Sequence, residues 1–112
     1  MRFNFPEVSA MAALITALVL LLAAGSATAQ ERELLYARSV AASCAQCHGT
    51  DGRPAAGSSL PALAGMERGA LAAQLKAFKA GTRPATVMHQ LSKGYSDAQI
   101  DMIASYFATQ TR

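Results

Sequence analysis

Apolar residues in this chain form one uninterrupted run near the N-terminus and three periodic segments farther along. The run covers residues 12–24 (AALITALVLLLAA) and contains no charged residue. The periodic segments begin near residues 31, 68 and 96, and each repeats apolar residues at the three- and four-residue spacing of a helix face. No segment alternates apolar and polar residues for long, as a half-buried strand would. The pattern therefore predicts an all-α protein.

The N-terminal apolar run has the character of a secretory signal. It is shorter than the roughly 20 residues that span a bilayer, and it matches the apolar core of a signal peptide. Ala27 and Ala29 are small residues placed for cleavage directly after Ala29. We expect residues 1–29 to be a cleaved signal peptide and residues 30–112 to be the folded domain, with an uncleaved membrane anchor as the alternative.

The local signals for helix ends divide the rest of the chain. Gly81 stands where the second helix should stop, and Ser96 with Gln99 has the spacing of a capping box at the start of the third. Between the helices lie two long segments without periodicity, residues 48–65 and residues 81–95. A domain this small buries little apolar surface and usually requires a disulfide, a metal or a cofactor. The two long loops add to that expectation.

The only two cysteines of the chain lie in the stretch Cys44-Ala45-Gln46-Cys47-His48. A thioredoxin-like dithiol would need a βαβ setting, which the pattern does not provide. A zinc site would need four ligands, and Cys44, Cys47, His48 and His89 supply four, but adjacent Cys47 and His48 rarely bind one tetrahedral ion. C-x-x-C-H is the attachment sequence of c-type haem: both thiols form thioethers, and the histidine binds the iron. The motif therefore predicts one covalent haem c.

The order of these features resembles the short class I c-type cytochromes. An amphipathic helix leads into C-x-x-C-H, and LPALAG, AFKAGTR, a loop methionine and a capped last helix follow. The segment from residue 84 to residue 108 is especially similar to the cytochrome subunit of flavocytochrome c sulfide dehydrogenases. The resemblance implies a small all-α class I cytochrome c fold of three to four helices, with long loops wrapped around one haem. It also implies that the first and last helices cross, with Val40 and Tyr36 against Tyr106 and Phe107.

A six-coordinate haem iron needs a second axial ligand. The candidates after the signal segment are Met66, Met88, Met102 and His89. Met88 lies in the loop after Pro84, where the chain can cross the haem face, and the resemblance places its methionine ligand in the same loop. Adjacent residues of an extended segment point to opposite sides, so only one of Met88 and His89 can face the iron. We expect Met88 to bind and His89 to be an exposed loop residue.

Pro61, in LPALAG, is expected to act through its backbone. The resemblance implies that its carbonyl accepts a hydrogen bond from the second ring nitrogen of His48, which would fix the imidazole and tune it as a ligand. Pro54 is the alternative for this contact, and a simple loop turn is the plainer interpretation.

The charge pattern bears on the partner. The chain carries a net charge of +3 at pH 7, and four basic residues come from the second helix and the loop after it: Lys76, Lys79, Arg83 and Lys93. We expect them to surround an exposed haem edge and to attract an acidic partner, unless they are ordinary solvated side chains. They lack the repeated aromatic interleaving and the groove-reading helix of a nucleic-acid interface, so nucleic acid is not an expected partner.

These features predict a periplasmic electron carrier and not an enzyme. The expected partner is a redox protein: a sulfide-oxidising flavoprotein of which this chain is the haem subunit, or alternatively a terminal oxidase or another redox enzyme reached by diffusion. A haem sensor or a peroxidatic protein is the remaining alternative, and it would require a weak or missing sixth ligand. We expect no stable membrane insertion once the signal has been cleaved.

Overall fold

The computed structural model describes residues 6–112, so the first five residues of the expected signal segment lie outside the described part. Within it the chain forms five α-helices, with 3₁₀ turns at Ala42–Cys44 and Thr50–Gly52, and no strand. The α-helices are α1 (Pro6–Ala41), α2 (Ala45–His48), α3 (Arg68–Ala80), α4 (Met88–Lys93) and α5 (Asp97–Ala108). The all-α prediction is confirmed, and α4 is a helix within the segment that the sequence presented as a loop.

The chain divides into two compact units, Met1–Glu33 and Leu34–Arg112. The first contains most of α1, whose side chains there are exposed wherever they are described. The helical stretch Ser9–His48 contains a window of mean hydropathy 2.2, long and apolar enough to cross a membrane. A signal sequence near the N-terminus has the same properties. The division into residues 1–29 and 30–112 therefore stays a prediction.

The second unit is built on α3, which packs against both α4 and α5. Helix α5 supplies the most deeply buried apolar side chains, with Ile100 0% exposed and Phe107 1% exposed. The other members of this core come from the end of α1, from the loop before α3, and from α3 and α5: Ala37, Ala41, Leu63, Leu71, Leu75, Ile103, Ala104 and Tyr106. Four members of this core, Leu63, Leu71, Leu75 and Ile103, also line an apolar cavity.

Tyr36 does not belong to this core. It is 49% exposed, and its hydroxyl accepts a hydrogen bond of 3.3 Å from the Gln99 side chain. Ala37 and Ala41 are the buried residues of this part of α1, and Val40 is half-buried against the same cluster. Neighbouring positions on a helix differ by about 100° in direction, so the small residues face inwards and the tyrosine faces outwards. The expected packing of Tyr36 was wrong, whereas that of Val40, Tyr106 and Phe107 agrees with the structure.

The helix ends follow the local sequence signals. Ser96 and Gln99 form the capping box, with Gln99 N donating to Ser96 Oγ at 3.2 Å and Ser96 N donating to Gln99 Oε1 at 3.0 Å. Gly81 ends α3 in the left-handed conformation, at φ 75°. At the start of α3 the Glu67 carboxylate accepts hydrogen bonds from Gly69 N and Ala70 N, which lower the pKa of Glu67.

Loss of the capping box should destabilise α5 measurably. Replacing Ser96 with alanine is expected to lower the free energy of unfolding by about 1 kcal/mol, because one helix N–H loses its acceptor. Chemical denaturation of the purified protein measures the change. Ser39→Ala is the matched control: Ser39 is also exposed, but it lies inside a helix, where alanine is the better residue. Equal midpoints for the two variants would contradict the role of the cap.

The loop between α2 and α3 is organised by its own hydrogen bonds. Gly52 O accepts from Leu63 N at 2.9 Å and from Ala64 N at 3.1 Å, which folds the loop back on itself. A Cβ at Gly52 would lie 2.7 Å from Ala64 N, so this approach requires glycine. Tyr106 donates a hydrogen bond of 2.6 Å to Asp51, and burial together with this carboxylate raises the pKa of Tyr106. The loop is thereby tied to α5 and carries Pro61 to the cavity.

Candidate haem site

An apolar cavity of about 400 Å³ lies within the second unit. Cofactor sites in proteins commonly have volumes of about 300–1,000 Å³ and mainly apolar walls. Its lining comes from the cysteine segment, from the loops before α3 and α4, from the turn before α5, and from α3, α4 and α5: Ser43, Cys44, Cys47, His48, Leu60, Pro61, Leu63, Met66, Leu71, Gln74, Leu75, Phe78, Arg83, Pro84, Ala85, Val87, Met88, Leu91, Ser92, Tyr95 and Ile103. The cavity thus includes all five residues that the sequence put forward for the site.

The cysteines and His48 reach the cavity from one short helical segment. Residues three and four apart on a helix share a face, so Cys44, Cys47 and His48 lie on one side of the turn. His48 is buried, Cys44 is half-buried and Cys47 is exposed. Both cysteines are free thiols in the structure, and burial raises the pKa of the Cys44 thiol. A redox-active dithiol needs the opposite shift, so the environment of Cys44 argues against that alternative.

The zinc alternative gains no support from the geometry. Across residues 6–112 no group of three or more histidine, cysteine or acidic side chains lies close enough together to hold a metal ion. His89, which the zinc alternative required, does not line the cavity.

The His48 ring is held by the loop before α3. Its Nδ1 lies 2.8 Å from Pro61 O, so Nδ1 carries the proton and Nε2 is left as the ligand nitrogen. Pro61 lines the cavity and Pro54 does not. The contact is the one expected for Pro61, and it would set the direction of the imidazole toward an iron.

Met88 approaches the cavity from α4. It is the first residue of that helix, and it shares a cavity-facing side with Leu91, Ser92 and, one turn beyond, Tyr95. The spacing i, i+3, i+4 and i+7 is that of one helix face. This spacing is visible in MHQLSKGY, and it could have predicted both α4 and its inward face. Of the other methionines, Met66 lines the cavity as well and Met102 does not.

His89 is not the exposed loop residue that the sequence suggested. The segment is helical and not extended, and His89 is half-buried with its Nδ1 buried and without a hydrogen-bond partner. Met88 and His89 were expected to lie in an extended segment, and this expectation was wrong. Helical geometry still separates neighbouring residues by about 100°, so Met88 faces the cavity and His89 does not.

The predicted basic rim is only partly present. Lys76 donates to Asp101 at 2.8 Å and Lys79 donates to Asp97 at 2.7 Å, which pairs both lysines with α5. Arg83 does line the cavity, with its guanidinium 5.1 Å from the centre of the Phe78 ring. Lys93 is exposed but is not part of the lining. Fewer unpaired basic side chains therefore lie near the edge of the cavity than the sequence suggested.

Exposed apolar side chains occur at the same edge. Leu60, Val87 and Leu91 line the cavity and are 42%, 53% and 52% exposed. Beside them Tyr95 and Ser43 join the α4–α5 turn to the cysteine segment through hydroxyl oxygens 2.5 Å apart. Neither residue was among the site residues predicted from the sequence.

The donor set fits covalent haem. Two thiols, an imidazole with Nε2 left for a metal, and a thioether all line one apolar cavity of suitable size. Imidazole and thioether are an axial pair found in haem proteins, and the thiols supply the covalent attachment.

An all-α domain with C-x-x-C-H in the wall of such a cavity defines a small c-type cytochrome. The chain belongs to the cytochrome c family, whose profile matches residues 36–111. Membership implies covalently bound haem c and a role in electron transfer without catalysis by the chain itself.

Two of the relatives are named for dehydrogenases of sulfur compounds. The chain is 40% identical over 70 residues to the cytochrome subunit of sulfide dehydrogenase of Chlorobaculum tepidum, covering 62% of each protein. It is 44% identical over 70 residues to a thiosulfate dehydrogenase electron acceptor of Thiomonas intermedia, covering 61% of this chain and 31% of that one. The cytochrome c4 structure of Acidithiobacillus ferrooxidans superposes with a TM-score of 0.55 at 39% identity, over 59% of this chain and 37% of that one. The matched part is less than two thirds of each relative.

The predicted fold and the resemblance to the sulfide dehydrogenase subunit are thus confirmed.

Proposed function

We propose that this chain is a periplasmic monohaem c-type cytochrome that carries single electrons, as the haem subunit that accepts them from a sulfide-oxidising flavoprotein. The observation that carries the proposal is the convergence of C-x-x-C-H and Met88 on one apolar cavity. The sequence has two cysteines, enough to attach one haem.

Each site residue has a distinct task in this proposal. Cys44 and Cys47 would hold the haem through thioethers, and His48 Nε2 and the Met88 sulfur would bind its iron. Pro61 O keeps the His48 ring in place through the 2.8 Å contact with Nδ1. When bound, the haem would supply an iron that changes by one electron. The apolar walls would exclude water from it, and an iron bound by both residues would have no place for a substrate.

Export is part of the proposal, because c-type haem is attached outside the bacterial cytoplasm. Residues 1–29 are the cleaved signal, and residues 30–112 are the mature cytochrome. The exposed apolar helix near the N-terminus supports this assignment. The mature protein then has no membrane anchor of its own and is bound in the periplasm only to its redox partner.

The cavity edge favours a docked subunit over a freely diffusing carrier. Leu60, Val87 and Leu91 present exposed apolar surface there, while Lys76 and Lys79 are already paired with α5. A stable subunit interface has an apolar centre, whereas a carrier that associates briefly depends on complementary charge. The similarity to the Chlorobaculum sulfide dehydrogenase subunit supports the same choice.

A second candidate is electron acceptance from a thiosulfate-oxidising enzyme by diffusion. The similarity to the Thiomonas electron acceptor favours it. In that case the electron would pass on to a terminal oxidase or another redox protein.

Copurification tests the partner. Tagged protein recovered from the periplasm at moderate salt is expected to retain a yellow flavoprotein, and sulfide should reduce its haem. Leu91→Glu places a charge on the exposed apolar edge and should release the flavoprotein. Lys93→Glu, an exposed position outside the cavity lining, is the matched control and should retain it.

The reverse pattern would contradict the subunit proposal. In that case the protein is a monomer, and its reduction by a thiosulfate-oxidising extract depends on salt. If Lys93→Glu slows this reduction and Leu91→Glu does not, the second candidate is established.

A further inference from the structure

Ser92 is an unexplained polar residue in the cavity wall. Its side chain is 0% exposed, and its Oγ has no hydrogen-bond partner. Buried hydroxyls in proteins are nearly always paired, and an unpaired one usually faces a ligand or a water molecule. Because Ser92 lines the cavity, we expect its hydroxyl to form a hydrogen bond when the cavity is filled.

Other hydroxyls in the helices of this chain bond to the backbone of the preceding turn. Ser105 Oγ donates to Asp101 O at 2.8 Å, and Ser39 Oγ donates to Tyr36 O at 2.7 Å. This back-bond is the usual local partner of a serine inside a helix. Ser92 does not make it. Its hydroxyl is therefore available to a group other than its own helix backbone.

Met88 lies one helical turn before Ser92 on α4 and carries an acceptor sulfur. Residues four apart on a helix lie one above the other on the same face, and both Ser92 and Met88 line the cavity. A thioether sulfur accepts hydrogen bonds weakly. Tyr95 O–H is paired with Ser43, and Gln74 is only half-buried. His89 Nδ1 is also buried and unpaired, but His89 does not line the cavity.

We propose that Ser92 Oγ donates a hydrogen bond to the Met88 sulfur when Met88 binds the haem iron, and that this bond raises the reduction potential. The inference rests on the proposed function, in which Met88 is the axial ligand. A hydrogen bond to a ligand atom withdraws electron density from it, which weakens its donation and favours the ferrous state. Ser92 acts through Met88 and is thus a positioning residue.

Ser92→Ala in the haem-loaded protein tests the bond. Loss of the hydrogen bond should shift the equilibrium between ferrous and ferric protein toward the ferric state by up to about tenfold. This is equivalent to a fall of about 59 mV in the reduction potential for one electron. The methionine-to-iron charge-transfer band of the oxidised protein should shift as well. Ser92→Thr keeps the hydroxyl and should retain the wild-type band. Ser105→Ala is the matched control: its hydroxyl is satisfied by its own helix, and it does not line the cavity.

The outcomes separate this inference from the ligand assignment. If the wild-type protein has no methionine-to-iron band, the assignment of Met88 fails and the inference fails with it. If the band is present but Ser92→Ala moves neither the band nor the potential beyond the Ser105→Ala control, the inference alone is wrong. A change in potential with an unchanged band would also overturn it, because the hydroxyl would then act on another group.

Discussion

Replacement of both Cys44 and Cys47 by alanine is expected to give a colourless protein that does not fold. An empty cavity of about 400 Å³ would destabilise the domain by at most about 10 kcal/mol at about 24 cal/mol per Å³. Domains of this size are stable by about 5–15 kcal/mol in total. Loss of the cofactor therefore removes most of the stability or all of it. Circular dichroism and haem absorption of the purified variant measure the two losses.

The covalent bond has its own test in the unaltered protein. Extraction with acidified acetone should leave the colour with the polypeptide, because thioethers resist a treatment that removes non-covalent haem. Ser43→Ala, which alters the neighbouring residue without removing a thiol, should keep the colour. Complete extraction of haem from the unaltered protein would refute the assignment of Cys44 and Cys47.

Met88→Ala is expected to open one axial position of the iron. The reduced protein should then bind carbon monoxide, and the reduction potential should fall by on the order of 100 mV, well inside the roughly 0.8 V over which axial ligands set haem potentials. Loss of the thioether favours the ferric state because thioether ligation stabilises ferrous iron. Absorption spectra with and without carbon monoxide, together with a redox titration, measure both effects.

His89→Ala is the matched control on the same helix. Its Nδ1 is buried and unpaired, so its removal should change stability little and the spectrum not at all. If His89→Ala produced the high-spin spectrum and Met88→Ala did not, the ligand would be His89. Carbon monoxide binding by the unaltered protein would instead favour the haem sensor or peroxidatic alternative.

The parts of this protein that the sequence predicted depend on local chemistry. C-x-x-C-H specifies its cofactor by spacing within five residues. The Ser96–Gln99 capping box and the Gly81 stop act within one helical turn, so both appear in the structure as expected. The periodic apolar spacing that begins near residue 96 predicted α5, in which Ile100, Ile103 and Phe107 are buried. Such features need no knowledge of the rest of the chain.

The parts that were wrong or missed depend on packing between distant segments. The extended form expected around His89 was incorrect because α4 is stabilised by contact with α3. The basic rim was overestimated because Lys76 and Lys79 meet carboxylates of α5 that lie 25 and 18 residues away in the sequence. Ser92 was not predicted as a site residue because its burial is apparent only once α4 faces the cavity.

The sequence alone therefore predicted the class of fold, the haem c cofactor and the proposed attachment residues, since these predictions follow from spacing within single turns. Only the tertiary structure decided which lysines are paired and which proline reaches His48. The physical reason is that a side chain's burial and partners depend on elements brought together across the chain. The three- and four-residue periodicity of a helix indicates that one face is buried, but its neighbours are set by the packing of α3, α4 and α5 around the cavity.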